Sequence, residues 1–193
     1  MVQPTERADA RANRSRLIVA AHEVFRERGP DAEMKEIAER AGLGVGTIYR
    51  NFPTKDDLVA AILGEAITEL ERNVQELADV DDPVDALRQF LRRGCDISER
   101  YGVVMMTVLG GTMPVECRER FAKLKEEDLI SGVIRSGIDR SIFRADIDPG
   151  IVAAQVASAF IPWSYQELRQ TRSPEQIVDG YVETILRGIS RSP

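Results

Sequence analysis

The chain has one histidine and two cysteines in 193 residues, and these scarcities exclude several kinds of chemistry. Any Ser-His-Asp triad would have to run through His22. A structural zinc site lacks ligands, because there is no CxxC pair and Cys95 and Cys117 stand 22 positions apart on different segments. Both cysteines read as reduced packing residues. Long apolar runs are missing too. No stretch approaches the roughly 18 residues of a membrane-spanning helix, and Met1 to Asp9 is too polar for a signal peptide. A soluble, cytoplasmic protein without membrane contact is therefore expected. There is no GxxxxGK[ST] loop to cradle phosphates and no dinucleotide fingerprint, while the paired Glu126 and Glu127 read as a solvated helix face. Asp146-x-Asp148-Pro-Gly150 lacks the remaining ligands and downstream Glu of an EF-hand, so it reads as a turn and helix cap. Neither an enzyme nor a resident cofactor or metal is expected. Sustained period-two alternation, repeats and low-complexity stretches are also missing, which leaves helices.

Apolar residues recur at helical spacing along most of the chain. Leu17, Ile18, Ala21, Val24 and Phe25 form the face of a first helix over Arg16 to Glu27, ended by Gly29-Pro30. Asp31 is expected to cap a short second helix reaching about Ala41. Gly42-Leu43-Gly44 supplies a turn, and Val45 to Asn51 makes a third helix, broken at Phe52-Pro53. Thr54 caps a fourth, running through Leu58, Ile62, Ala66 and Leu70 to about residue 79. Further on, Asp82-Pro83, Asp148-Pro149 and Ser173-Pro174 have the cap-then-proline order that opens helices. Between them lie an apolar run from Val103 to Leu109, closed by Gly110-Gly111, and a long amphipathic helix over Val115 to Ile138. Pro162 interrupts the helix that Asp148-Pro149 opens. The fold class is all-α, with about nine helices in total.

Charge is unevenly spread. The net charge is −6, yet residues 1–55 carry 10 Lys and Arg against 8 Asp and Glu, leaving 16 against 24 for the remainder. Such a gradient presents the N-terminal face to a polyanion and turns the acidic body away. Arg7, Arg11, Arg14 and Arg16 form either an arm that follows a nucleic-acid groove or a solvated basic tail.

The most informative stretch is Ile37-Ala38-Glu39-Arg40-Ala41-Gly42-Leu43 followed by Gly46-Thr47-Ile48-Tyr49-Arg50-Asn51-Phe52. A helix-turn-helix needs a small residue where its helices cross and a flexible one in its turn, and Ala38 and Gly42 meet both needs. With Ile37, Leu43 and Ile48 turned inward, the third helix exposes Val45, Thr47, Tyr49, Arg50 and Asn51 toward a major groove. Thr47 suits a thymine methyl or a phosphate, the Tyr49 hydroxyl suits a phosphate, and Arg50 and Asn51 suit base or backbone hydrogen bonds.

The span Arg16 to Leu58 resembles the DNA-binding domain of TetR (TetR/AcrR) transcriptional regulators. Ala20, Ala21 and Phe25, then Ile37 to Gly42, then Gly46 through Leu58 follow that family's pattern without a gap. The resemblance implies an N-terminal three-helix DNA-binding domain, residues 1–53. It also implies a C-terminal helical ligand-binding and dimerisation domain, residues 54–193, linked by the fourth helix. It further implies a homodimer on a double-stranded, palindromic operator, with DNA contacts carried over to Lys35, Val45, Gly46, Thr47, Tyr49, Asn51 and Lys55. Lys55 and the N-terminus of the fourth helix would act on one phosphate together. The chain departs from the pattern in having Gly44 where Ser is frequent, Glu33 where Thr is frequent, and Asn51 where His is frequent.

The C-terminal part is less specific. Tyr101, Met105, Met106, Leu109, Met113, Phe121, Phe160 and Trp163 either line an apolar pocket for an unidentified small-molecule effector or pack a core. Gly110-Gly111 is a hinge or merely a helix end. The apolar faces at 151–161 and 177–189 suit the pairing of the last two helices with their mates across a dimer, or an internal core. The functional expectation is a ligand-responsive regulator, a repressor released from its operator by a small, largely apolar molecule. The alternatives are a constitutive DNA-binding protein without a sensor and a helical protein-interaction module.

Overall fold

The computed structural model describes residues 4–109, 113–126, 128–159 and 162–190. Among the described residues every regular element is a helix, apart from one isolated bridge between Phe143 and Ser190. The helices are α1 (Pro4–Arg28), α2 (Met34–Arg40), α3 (Val45–Asn51), α4 (Lys55–Leu77), α5 (Pro83–Leu109), α6 (Val115–Glu126), α7 (Leu129–Asp139), α8 (Pro149–Ser158), α9 (Pro162–Arg169) and α10 (Pro174–Ile189). They fall into two compact units, 1–65 with 103–117, and 66–102 with 118–193. The division runs through α4, α5 and α6.

Most expected starts hold, because each rests on a side chain that satisfies a free amide. Thr54 Oγ1 accepts from Asp57 N (3.1 Å) while Asp57 Oδ2 accepts from Thr54 N (3.0 Å), a reciprocal cap of α4. Asp82 caps α5 through the amides of Val84 and Asp85. Asp148 caps α8, and Ser173 caps α10 with Gln176 reaching back. Each of these last three helices begins on a proline, whose missing N–H falls where none is needed.

Three expectations need correcting. α1 begins at Pro4, well before Arg16, because Ala and Arg sustain a helix by propensity without an apolar face to mark it. Asp31 lies in a 3-10 turn spanning Gly29–Asp31, and the residue that starts α2 is Glu33, whose amide donates to Glu36 Oε2 at 3.3 Å. The single helix expected over 115–138 is two, because Asp128 stops the first register and caps α7 through the amide and hydroxyl of Ser131.

The second unit has a core built from Leu87, Leu91, Ile134, Val156, Tyr165 and Val178, among others. After α7 the chain turns at Ser141, with φ of 59°, and lays the Phe143 ring directly on Gly137. A β-carbon on Gly137 would fall 2.1 Å from that ring, so only glycine fits there. Arg144 then donates its amide to Ile189 O at 2.8 Å and closes the end of α10. Its guanidinium clasps Asp146 through two 2.9 Å bonds. Asp146 is thus paired with an arginine and Asp148 caps a helix, the turn-and-cap arrangement expected of that stretch.

Candidate nucleic-acid interface

The first unit is organised around the turn between α2 and α3. α2 ends in a Schellman motif: Gly42 adopts φ of +65°, Leu43 N donates to Ala38 O at 2.9 Å, and Gly42 N donates to Glu39 O at 3.0 Å. Left-handed backbone of this kind favours glycine. A further carbonyl at the helix end, that of Ala41, accepts from the Arg16 guanidinium of α1 at 2.6 Å. A second tie between α1 and α2 is Arg40, which reaches Glu23 (3.2 Å) and Glu27 (2.8 Å). Its hydrogen bond holds the Glu27 carboxyl below the usual carboxylate range.

Ile37, Ala38 and Ile48 are fully buried, as are Phe25 of α1 and Leu58 of α4. This packing leaves α3 no rotational freedom, since Ile48 inward forces its neighbours outward. Val45 is 39% and Tyr49 49% exposed, Gly46 and Arg50 are exposed, and Thr47 and Asn51 are half-buried. The third helix therefore presents the side chains that the sequence assigned to its outer face. They are already bonded along the helix. Arg50 donates from Nε to Gly46 O (3.1 Å) and from Nη2 to Thr47 Oγ1 (3.2 Å), and Asn51 donates from Nδ2 to Thr47 O (2.8 Å).

Lys35 lies on the outer side of α2, with its side chain 68% exposed and 3.8 Å from Glu39. Lys55 is half-buried. Its ammonium donates to Pro30 O and stands 5.6 Å from the Phe25 ring. Two arginines assigned to an arm or tail are neither. Arg14 lies 4.4 Å over the Phe52 ring and Arg16 holds the turn. The signal for Arg16 was indirect: a helix ending at Ala41-Gly42 leaves a carbonyl that needs a donor, and α2 offers none of its own.

The residues proposed for a ligand pocket are divided between the two units. Tyr101 is buried in the second, with its hydroxyl donating to Glu69 Oε2 at 3.2 Å, and Phe121, also of the second, is 42% exposed. Met105, Met106 and Met113 belong to the first, where Met106 is 41% exposed. Leu109 ends α5 and Trp163 lies in the first turn of α9. Phe160 and the Gly110-Gly111 pair lie outside the described residues. Two grooves in the second unit are lined by other residues. One, of about 410 Å³, lies against Leu77, Val80, Leu129 and Val133. The other, of about 440 Å³, lies between α8 and α10 against Ile151, Val152, Ile185 and Ile189.

A three-helix head with a glycine turn and an outward-facing α3, in a chain otherwise helical, defines the helix-turn-helix class. Residues 17–62 match the family model described as bacterial regulatory proteins, tetR family. The HTH-type transcriptional repressor Rv3405c of Mycobacterium tuberculosis is 33% identical over 125 residues, which is 64% of this chain and 59% of that protein. This chain thus spans less than two thirds of the length of the curated relatives it matches. The TetR family regulator PfmR from Thermus thermophilus superposes with a TM-score of 0.73 at 26% identity, over 92% of this chain and 97% of PfmR. AibR, solved with isovaleryl coenzyme A and operator DNA, superposes with a TM-score of 0.68 at 20% identity, over 89% of this chain and 97% of AibR. Residues 17–62 are thus similar to the DNA-binding domain of the TetR family, and the helical fold of the whole is similar to that of solved TetR-family regulators.

Proposed function

We propose that the protein is a ligand-responsive, DNA-binding transcriptional regulator, a repressor that leaves a palindromic operator when a small, largely apolar molecule binds. The observation that carries the reading is the α2–α3 turn. It is closed by Gly42 and held by Arg16, and it turns Val45, Thr47, Tyr49 and Arg50 outward on a helix anchored by Ile48. A surface that sets hydroxyl, amide and guanidinium groups beside the exposed Val45 and Tyr49 suits phosphates, base edges and thymine methyls. Lys35 and Lys55 would add phosphate contacts, Lys55 by exchanging the Pro30 carbonyl for a phosphate oxygen.

In this reading residues 1–53 meet DNA, while residues 54–193 bind the effector and dimerise, in the cytoplasm. Ile151, 62% exposed, and the α8–α10 groove beside it support pairing of those helices with a second copy. Effector bound among the middle helices shifts α4 and so changes the separation of the two recognition helices. It lowers operator affinity only to the extent that it prefers the non-binding state. That AibR was solved with an acyl-coenzyme A and operator DNA supports a sensor of this general kind. A constitutive DNA-binding protein is the second reading, favoured by the exposure of Met106 and Phe121, which, among the described residues, line no enclosed cavity within their own units. The two are separated by screening apolar compounds for a rise in melting temperature. A sensor yields a compound that both stabilises the protein and releases its DNA; a constitutive binder yields none.

A further inference from the structure

The internal bonds of α3 fix how the Asn51 amide is oriented. Its Nδ2 donates to Thr47 O at 2.8 Å, and the reverse orientation would set two acceptor oxygens against each other. Oδ1 therefore points away from the backbone, and it accepts no hydrogen bond from any described residue. The neighbouring groups do not supply one, since the Arg50 guanidinium is turned back onto Gly46 O and Thr47 Oγ1. Asn51 is half-buried, and its oxygen is not sealed from solvent.

A neutral oxygen facing outward is selective, because phosphates and sugars of duplex DNA offer it no donor. In the major groove the donors are the exocyclic amines, N6 of adenine and N4 of cytosine. We infer that Asn51 is a specificity-determining residue whose Oδ1 accepts a hydrogen bond from an exocyclic amine of adenine or cytosine, at one position of each half-site. This rests on α3 being the helix that reads DNA, and it adds the polarity of the reading. The second Nδ2 hydrogen, which the Thr47 carbonyl leaves unused, can meet a phosphate as well, a contact that would carry no sequence preference.

The test uses the full-length protein. A sequence is selected from random duplex DNA, and the adenines or cytosines of a half-site are replaced singly by purine or 2-pyrimidinone, which lack only the exocyclic amine. The wild type is expected to lose roughly 5- to 150-fold in affinity at one such position, and the analogue that does so identifies the base. Asn51→Leu, with its melting temperature checked, is expected to bind parent and amine-free DNA equally and to relax selection at that position alone. The proposal is overturned if the wild type binds every amine-free duplex as tightly as its parent. It is equally overturned if Asn51→Leu discriminates between parent and analogue as the wild type does. Failure of the wild type to select any sequence would instead sink the reading of α3 itself, and this proposal with it.

Discussion

The Arg16 guanidinium donates to the carbonyl oxygen of Ala41 at 2.6 Å, across 25 residues of sequence, and Ala41 is where α2 ends. A charged donor from α1 thus holds the turn that sets the angle between α2 and α3. Hydrogen bonds to charged groups contribute about 1.5–3 kcal/mol; the partial exposure of this one places it toward the lower end. Arg16→Ala is expected to lower the urea midpoint accordingly, with Arg16→Lys recovering part of the loss. An unchanged midpoint for Arg16→Ala would show that the turn holds itself through Gly42.

Gly137 and Phe143 make the corresponding test of the second unit. A β-carbon would meet the ring at 2.1 Å, and overpacking of a filled core costs about 1–3 kcal/mol. Gly137→Ala should destabilise by at least that much, and combining it with Phe143→Leu should cost less than the sum of the two single changes. Additive losses would mean that the ring does not rest on the glycine.

Stability should fall at alkaline pH. Burial, reinforced by Asp96 and Glu99, pushes the Cys95 thiol from 9.0 up to about 12, and burial beside Glu99 also raises the Tyr165 phenol. A folded pKa above the unfolded value means that the folded chain keeps a proton the unfolded chain gives up. The stabilisation is therefore complete below pH 9 and is lost as pH climbs toward 12. One thiol contributes at most about 1.4 kcal/mol per pH unit. Urea midpoints measured across this window should decline less steeply for Cys95→Ala than for the wild type, and equal slopes would refute the assignment.

Tyr49→Ala and Lys55→Ala should weaken binding to all DNA sequences alike. For Lys55→Ala the slope of log affinity against log salt should flatten by about one phosphate contact. Because Lys55 also holds the Pro30 carbonyl, melting temperatures must be compared first. A folded Lys55→Ala protein with an unaltered salt slope would remove Lys55 from the interface.

The head of the molecule was legible in sequence because its determinants are local. Ala38, Gly42 and Ile48 each answer to a requirement of one turn or one crossing, and proline and its preceding cap mark α5, α8 and α10. What escaped depends on distant partners or on the absence of a pattern. Residues 8–12 of α1 are exposed, so no periodicity announced that stretch. The destination of Arg16 lies 25 residues away. The break before α7 turns on whether Asp128 caps a helix or rides along one. The proposed effector pocket was the least legible, since aromatic and methionine side chains serve a core and a pocket equally well.

The most direct test of the central claim is fluorescence anisotropy of the full-length protein on DNA flanking its own gene and on duplexes selected from a random pool, each against its scrambled counterpart, with salt varied. The account predicts salt-sensitive binding that favours at least one of these sequences over its scramble by about a thousandfold or more. Equal, weak binding to every duplex and its scramble, with nothing recovered from the pool, would contradict it.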